Sequence, residues 1–295
     1  MHACRSTFLA LSLFGLATPV EAQDAEALRS RHAALRGQLA ESPFGRPLHV
    51  ESSETRSSHK GAIYAIVDEP FKRVGEALGR AAQWCDFLIL QANVKNCEAS
   101  NAGGEALSLF VVREPTDPPE QAYRTDFAYA VPSSNPDYLN VALGAKEGPF
   151  GTTDYRIRLE ATPLDAERTF LHLAYSYTVR GTARMGMQMY LATSGRDKVG
   201  FSVVDRTPEG RPVYVGGVRG VVERTTMRNY LALEAYLGTL ETPAAERMER
   251  RLRAFHAGLE RYPRQLRELG LDEYLEIKRS GKDEFSWTRS DWAGK

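Results

Sequence analysis

The chain of 295 residues sets 38 Lys and Arg against 38 Asp and Glu, with 42% hydrophobic and 26% charged positions, the balance of a globular protein rather than a disordered tail or a fibrous repeat. A formal net charge of zero gives it no global field with which to attract nucleic acid or an anionic membrane surface. Its length allows one large domain with extensions or two modest ones.

The chain opens as an address. Arg5 precedes an apolar run from Thr7 to Ala17, and Val20-Glu21-Ala22 supplies the small residues a signal peptidase needs, so residues 1–22 are predicted to be a secretory signal peptide cut before Gln23. The run is much shorter than the roughly 20 apolar residues of a membrane span, and no later segment is long and apolar enough to be an integral one. Cys4 lies ahead of the run, where it is not placed for lipidation. The plain form of the peptide suggests export to a bacterial periplasm. In that oxidising compartment the remaining cysteines, Cys85 and Cys97, are expected to form a structural disulfide. Two buried free thiols are the alternative, and metal ligation is disfavoured because no His or Cys stands two to four positions from either.

Residues 23–45 form a helical leader, with Leu28, Leu35 and Leu39 at helical spacing and Pro43 and Gly45 ending it. The period then changes. His49 to Glu51 and His59 to Val67 read as extended, with Ile63, Ala65 and Val67 on one face. Asp68-Glu69-Pro70 stops the second run and starts a helix carrying Phe71, Val74 and Leu78, because a proline at the first helical position gives up no hydrogen bond. A second short helix places Trp84, Cys85, Phe87, Leu88 and Leu90 inward. Strand-like runs follow at Ala106 to Arg113, Ala122 to Val131, Asp137 to Leu143, Asp154 to Ala161 and Arg168 to Val179, separated by hairpin-sized breaks, which predicts an antiparallel meander. A helical piece from Arg184 to Leu191 and two extended pieces around Val199 to Val204 and Pro212 to Val215 precede a long helix from Val221 to Leu240. Thr242-Pro243 restarts helical structure, and Met248, Leu252, Phe255, Leu259 and Tyr262 make one stripe. The tail from Ser280 is polar apart from Phe285, Trp287 and Trp292.

A strand, two short helices, an antiparallel meander and one long helix is the element order of a helix-grip fold, an α+β architecture in which a curved sheet wraps its last helix. In that order, and in the junction Ala62-Ile63-Tyr64-Ala65-Ile66-Val67-Asp68-Glu69-Pro70-Phe71-Lys72-Arg73-Val74, the chain resembles the START-like (SRPBCC) superfamily. The resemblance covers residues 46–240, departs from the usual pattern between Arg180 and Pro212, and leaves residues 241–295 as a C-terminal extension. It implies a hydrophobic or amphipathic small molecule held between sheet and helix. Tyr129, Tyr175, Tyr177 and Tyr190 suit the walls of such a cavity and are equally readable as core aromatics.

On the long helix Glu223, Met227, Tyr230 and Glu234 share one stripe. Facing a cavity, Glu223 or Glu234 would be desolvated and could act as acid or base beside Tyr230; facing strands, the same carboxylates would pin the helix through ion pairs. Arg224 and Arg228, four apart and of like charge, call for a carboxylate opposite, Asp154 or Glu160, or for an anionic ligand head group. By alternation His172 points away from the apolar face, as do Arg156, Arg158 and Glu160, and a solvated sheet face accounts for them. The histidines His32, His49, His59, His172 and His256 are scattered without metal-ligand spacing, no Gly-x-Ser-x-Gly elbow occurs, and no phosphate-cradling loop is present, so neither a metal nor a cofactor is expected.

The sequence therefore points to an exported carrier or sensor of a hydrophobic or amphipathic small molecule, lipid included, with Tyr129, Tyr175, Tyr177, Tyr190, Met227, Arg228, Tyr230 and Glu234 as ligand contacts. A cyclase- or hydrolase-type enzyme working through Glu223 and Tyr230 is one alternative. An envelope module that meets a partner protein through the C-terminal helix is the other.

Overall fold

The computed structural model describes residues 20–179, 181–192 and 195–284. The signal peptide expected from the first residues and the aromatic tail of Phe285, Trp287 and Trp292 fall outside the described residues, save Val20 to Ala22, which lie in the first helix. The elements in chain order are α1 (Val20–Ala40), β1 (Leu48–Glu54), β2 (Ser58–Val67), α2 (Phe71–Leu78), α3 (Ala81–Leu88), β3 (Val94–Ser100), β4 (Ala106–Val111), β5 (Tyr123–Asn135), β6 (Tyr138–Glu147), β7 (Thr152–Pro163) and β8 (Thr169–Val179). After them come α4 (Gly181–Ala192), the small hairpin β9 (Val203–Arg206) and β10 (Pro212–Tyr214), α5 (Gly217–Leu237), α6 (Ala244–Glu260), α7 (Pro263–Leu266) and α8 (Leu271–Glu284).

Strands β1 to β8 make one antiparallel sheet in the order β1-β2-β8-β7-β6-β5-β4-β3. The meander from β3 to β8 arises because short breaks join its strands, and the opening hairpin attaches to the last strand through the register Ile63↔Leu173 and Ala65↔Leu171. Alternation then sorts the side chains. Ile63, Ala65, Leu171, Leu173, Leu159, Val141 and Phe127 join Met227, Tyr230, Leu231 and Leu233 of α5 in the main core. This is the α+β helix-grip architecture, with a curved sheet against a long helix. The helix seats over the β1-β2-β8 side, where Gly61 is required by close approach: a Cβ there would stand 2.3 Å from Thr226 Oγ1 and 2.8 Å from Val222 Cγ1.

The other face of the sheet is covered as well. Ala25, Leu28, Leu35 and Leu39 of α1 bury themselves on Tyr138 and Phe170, with Tyr64 and Ile66 alongside. This corrects the reading of His172 and Glu160 as part of a solvated face, while Arg156 and Arg158 are exposed as that reading has them. His172 stacks on Tyr64 at 4.4 Å between ring centroids and meets Glu160 at 2.8 Å through Nδ1, while Glu160 also accepts from Tyr138 and pairs with Arg158 at 3.1 Å. Alternation tells which face a residue takes, and α1 decides whether that face is wet.

Two further differences have local causes. The sequence reading omits β3, an edge strand whose polar run Val94-Lys95-Asn96-Cys97-Glu98-Ala99-Ser100 lacks the usual β-branched pattern. The long helix begins at Gly217 and ends at Leu237 rather than spanning Val221 to Leu240. Its first turn contains Gly217 and Gly220, poor helix formers that tertiary packing overrides, and it stops at Gly238, whose N–H bonds Glu234 O at 2.9 Å. The stripe on α6 is used within the chain: Leu252 and Phe255 are fully buried, with Met248, Leu259 and Tyr262 packed against the same core. Tyr274 of α8 donates to Leu90 O at 2.6 Å, so the C-terminal helices build on the α5 layer. No helix among the described residues is long and apolar enough to cross a membrane.

Cys85 of α3 and Cys97 of β3 are joined by a disulfide, with Cα atoms 5.3 Å apart. It ties the edge strand to a helix of the core. Replacing both cysteines by Ser should destabilise by about 3 kcal/mol through the freed unfolded chain, a fall in melting temperature of about 6–12 °C for a chain of this size. A scanning-calorimetry midpoint that is the same with and without reductant would contradict a formed, stabilising bridge.

Candidate functional site

Glu223 is fully buried in the first turns of α5. Its Oε1 accepts from Ser52 Oγ at 2.5 Å and Ser202 Oγ at 2.7 Å, and its Oε2 from the backbone N–H of Phe201 at 2.6 Å and of Ser202 at 2.9 Å. A carboxylate has about four lone-pair positions, and here four donors occupy them. Ser52 in turn accepts from Arg219 at 3.1 Å. The carboxylate thus fastens α5 to β1 and to the segment that leads into β9, and it lies against that segment rather than beside the Tyr230 hydroxyl. Tyr230 is buried, its phenol pushed up to about 12 by loss of water, and donates weakly to Glu234 at 3.5 Å. Glu234 is paired with Arg46 and, at 3.4 Å, with Arg261.

The other residues singled out from the sequence divide into two places. Tyr129 is a core residue that donates to Leu78 O at 2.5 Å and meets Trp84 edge-on, and Met227 is fully buried in the main core. Tyr175 and Tyr177 lie side by side on β8, their ring centroids 5.6 Å apart, while Tyr190 of α4 meets Arg224 of α5. Tyr155 joins the β8 pair, stacked on Tyr177 at 5.4 Å and edge-on to Tyr175 at 5.8 Å. Alternation along β7 puts Tyr155 on the face of Ile157 and Leu159, opposite to Arg156 and Arg158, a signal that could have found it.

Backbone irregularity positions this cluster. One extra residue on β7 breaks its register with β8 between Thr153 and Arg156, and Asp154 within that bulge has φ 54°, the left-handed region that non-glycine residues rarely adopt. The bulge brings Thr152 and Tyr155 to one side, where their hydroxyls meet at 2.9 Å. Gly148 leaves room for the ring, since a Cβ there would stand 2.1 Å from Tyr155 Cε2. Tyr155 and Tyr175 point inward and pack against the core, yet each keeps part of its surface exposed. Burial pushes the Tyr155, Tyr175 and Tyr177 phenols above their ordinary value, which keeps them protonated donors at neutral pH.

Arg224 completes the group. It is 2% exposed, and its guanidinium donates to Tyr190 Oη at 3.2 Å and to Val199 O at 3.4 Å. Its charge also reaches the Tyr177 phenol. Neither Asp154 nor Glu160 lies opposite the arginine pair as expected: Asp154 is exposed and Glu160 is under α1. The carboxylate that answers Arg228 is Glu268, at 2.6 Å, which Lys198 shares at 3.3 Å. Burial raises the Glu268 carboxyl, but Arg228 and Lys198 outweigh it and hold the group below its usual value. Far from these residues, a polar groove of about 280 Å³ opens at the C-terminal end of α5 between Glu69, Arg73, Leu240 and Arg250. Among the described residues no group of three or more His, Cys, Asp or Glu is placed to hold a metal ion.

No protein-family model matches the chain, and no curated protein matches it. Among solved structures it is similar to the Zhui aromatase/cyclase from Streptomyces sp. R1128, with a TM-score of 0.38 and 20% identity over 67% of this chain and 98% of that one. It is also similar to truncated norcoclaurine synthase from Thalictrum flavum, at 0.33 and 16% over 48% and 89%, and to a START superfamily protein from Mycobacterium smegmatis, at 0.31 and 15% over 47% and 93%. Likeness at this level carries no argument about ligand or reaction.

Removing the Glu223 carboxylate leaves two hydroxyls and two amides without their buried acceptor. Glu223→Ala should therefore cost about 3 kcal/mol or more, read from urea unfolding. A loss below about 1 kcal/mol would mean that water replaces the carboxylate at no great cost and that the helix start is held by packing alone.

Proposed function

We propose that this chain is an exported START-like carrier or sensor that holds a hydrophobic or amphipathic small molecule, lipid included, between the concave sheet and α5 at the end covered by α4. The observation that carries this reading is the partial burial of Tyr155 and Tyr175 on the inward face, where a filled core would have covered them. Aromatic walls with protonated hydroxyls suit a ligand that is mostly apolar and carries a few polar groups to orient it. Tyr175, Tyr177, Tyr190 and Tyr155 are the contacts this reading assigns, with Arg228 at the rim. Tyr129, Met227, Tyr230 and Glu234 support the fold around them.

The enzymatic alternative requires Glu223 to exchange a proton with a substrate, and the four hydrogen bonds on its oxygens argue for a structural role instead. The interaction-module alternative requires a free stripe on α6, and that stripe is packed against α5. Export to a bacterial periplasm remains part of the proposal, on the strength of the opening residues and of a disulfide between Cys85 and Cys97.

Native mass spectrometry of the protein purified without detergent from its own compartment, followed by organic extraction, tests the reading. Expected is a stoichiometric bound mass that leaves on extraction, or uptake of one when the apo protein is offered a total lipid extract. An apo mass with no uptake would remove the ligand-binding reading.

A further inference from the structure

Arg224 stands out among the buried charges. Glu223, beside it in sequence, is saturated by hydrogen bonds on the Ser52 and Ser202 side. Arg251, also buried, has Asp86 at 3.2 Å. Arg224 is 2% exposed and no carboxylate among the described residues lies within ion-pair distance of it. Of its five N–H donors, the acceptors found are a carbonyl and a phenol. Around it Arg228 and Lys198 share the single carboxylate of Glu268, so three cations face one anion. Burial depresses the Arg224 pKa most, Tyr190 opposes it, and Arg228 depresses it further, with Glu268 a lesser opposing charge. A buried cation with no direct ion pair destabilises a fold unless something compensates it.

We propose that Arg224 is the anion anchor of the cavity, and that the ligand is an amphipathic monoanion whose apolar body lies along Tyr155, Tyr175 and Tyr177 while its charged end takes the guanidinium. The inference rests on the cavity reading above and narrows its ligand class. Arg224 extends from α5 toward Tyr190 of α4, and α4 packs against the 149–151 turn that leads into the strand carrying Tyr155. The planar fork of Arg224 matches two oxygens of a carboxylate or a phosphate. Arg228, with side-chain exposure of 16%, adds charge nearby while staying paired with Glu268.

A pair of probes with one skeleton separates charge from hydrophobicity: 1-anilinonaphthalene-8-sulfonate is anionic, and N-phenyl-1-naphthylamine lacks the sulfonate. Fluorescence titration of the wild type should show the anion bound at least about tenfold tighter. Arg224→Gln should abolish that preference while leaving the neutral probe within about twofold, since a hydrogen-bonded charge contact of about 1.5–3 kcal/mol corresponds to at least a tenfold change. The wild-type comparison needs no variant, so a failure of Arg224→Gln to fold leaves the test intact. Competition against the bound anion by dodecanoate, dodecyl phosphate and dodecanol then reads the head group: either acid displacing it ahead of the alcohol supports the anchor and tells carboxylate from phosphate. Equal affinity for the two probes, or displacement by dodecanol as readily as by the acids, would overturn the anchor and leave the cavity standing. Binding of neither probe would overturn both.

Discussion

The buried carboxylate of Glu223 fixes where the long helix begins, and much else follows from that position. Four donors from two separate parts of the chain converge on it, so helix, first strand and the segment before the small hairpin are held as one unit. With the start of α5 pinned there, Gly61 allows the backbone of β2 to approach Thr226 and Val222. The helix consequently lies over one side of the sheet instead of its centre, and the concave face toward β7 is left to tyrosines. A buried, fully hydrogen-bonded carboxylate specifies this arrangement more sharply than apolar contact would, because a shift of one helical turn would leave every one of those groups unpaired.

The tyrosine end of the inward face is shaped by what the sheet does at its border. The bulge at Asp154 and the small residue at Gly148 together make room for the Tyr155 ring, and bulges of this kind commonly redirect a side chain toward a site. Arg224 follows Glu223 on the helix, so the residue that anchors the helix start and the buried cation are neighbours that meet different parts of the segment before the small hairpin.

Much of the fold was legible in the sequence because its signals are local. Alternation in Leu171, Leu173, Tyr175, Tyr177 and Val179 predicts both the strand and its inward face, and Asp68-Glu69-Pro70 marks a strand-to-helix junction that the structure contains. The polar edge strand from Val94 to Ser100 carries no such pattern, since an edge strand needs fewer apolar partners. The candidate site was legible only in part. Helical spacing correctly groups Glu223, Met227, Tyr230 and Glu234, yet spacing cannot tell what a helix face meets. Glu223 meets Phe201 and Ser202, from a segment read as an insertion, and Arg228 meets Glu268, from an extension read as separate. His172 and Glu160 were read as solvated because α1, far away in sequence, is what covers them. Each of these contacts is long-range, and composition or periodicity has no access to it.

The central claim is that a ligand enters at the tyrosine end of the concave face, and labelling the rings of the 13 tyrosines with carbon-13 tests it most directly. Titration with N-phenyl-1-naphthylamine should shift the resonances of Tyr155, Tyr175 and Tyr177 and leave those of Tyr138, under α1, and Tyr274, on α8, in place. Shifts confined to the second group, or no shift anywhere at saturating probe, would contradict a binding site between sheet and helix.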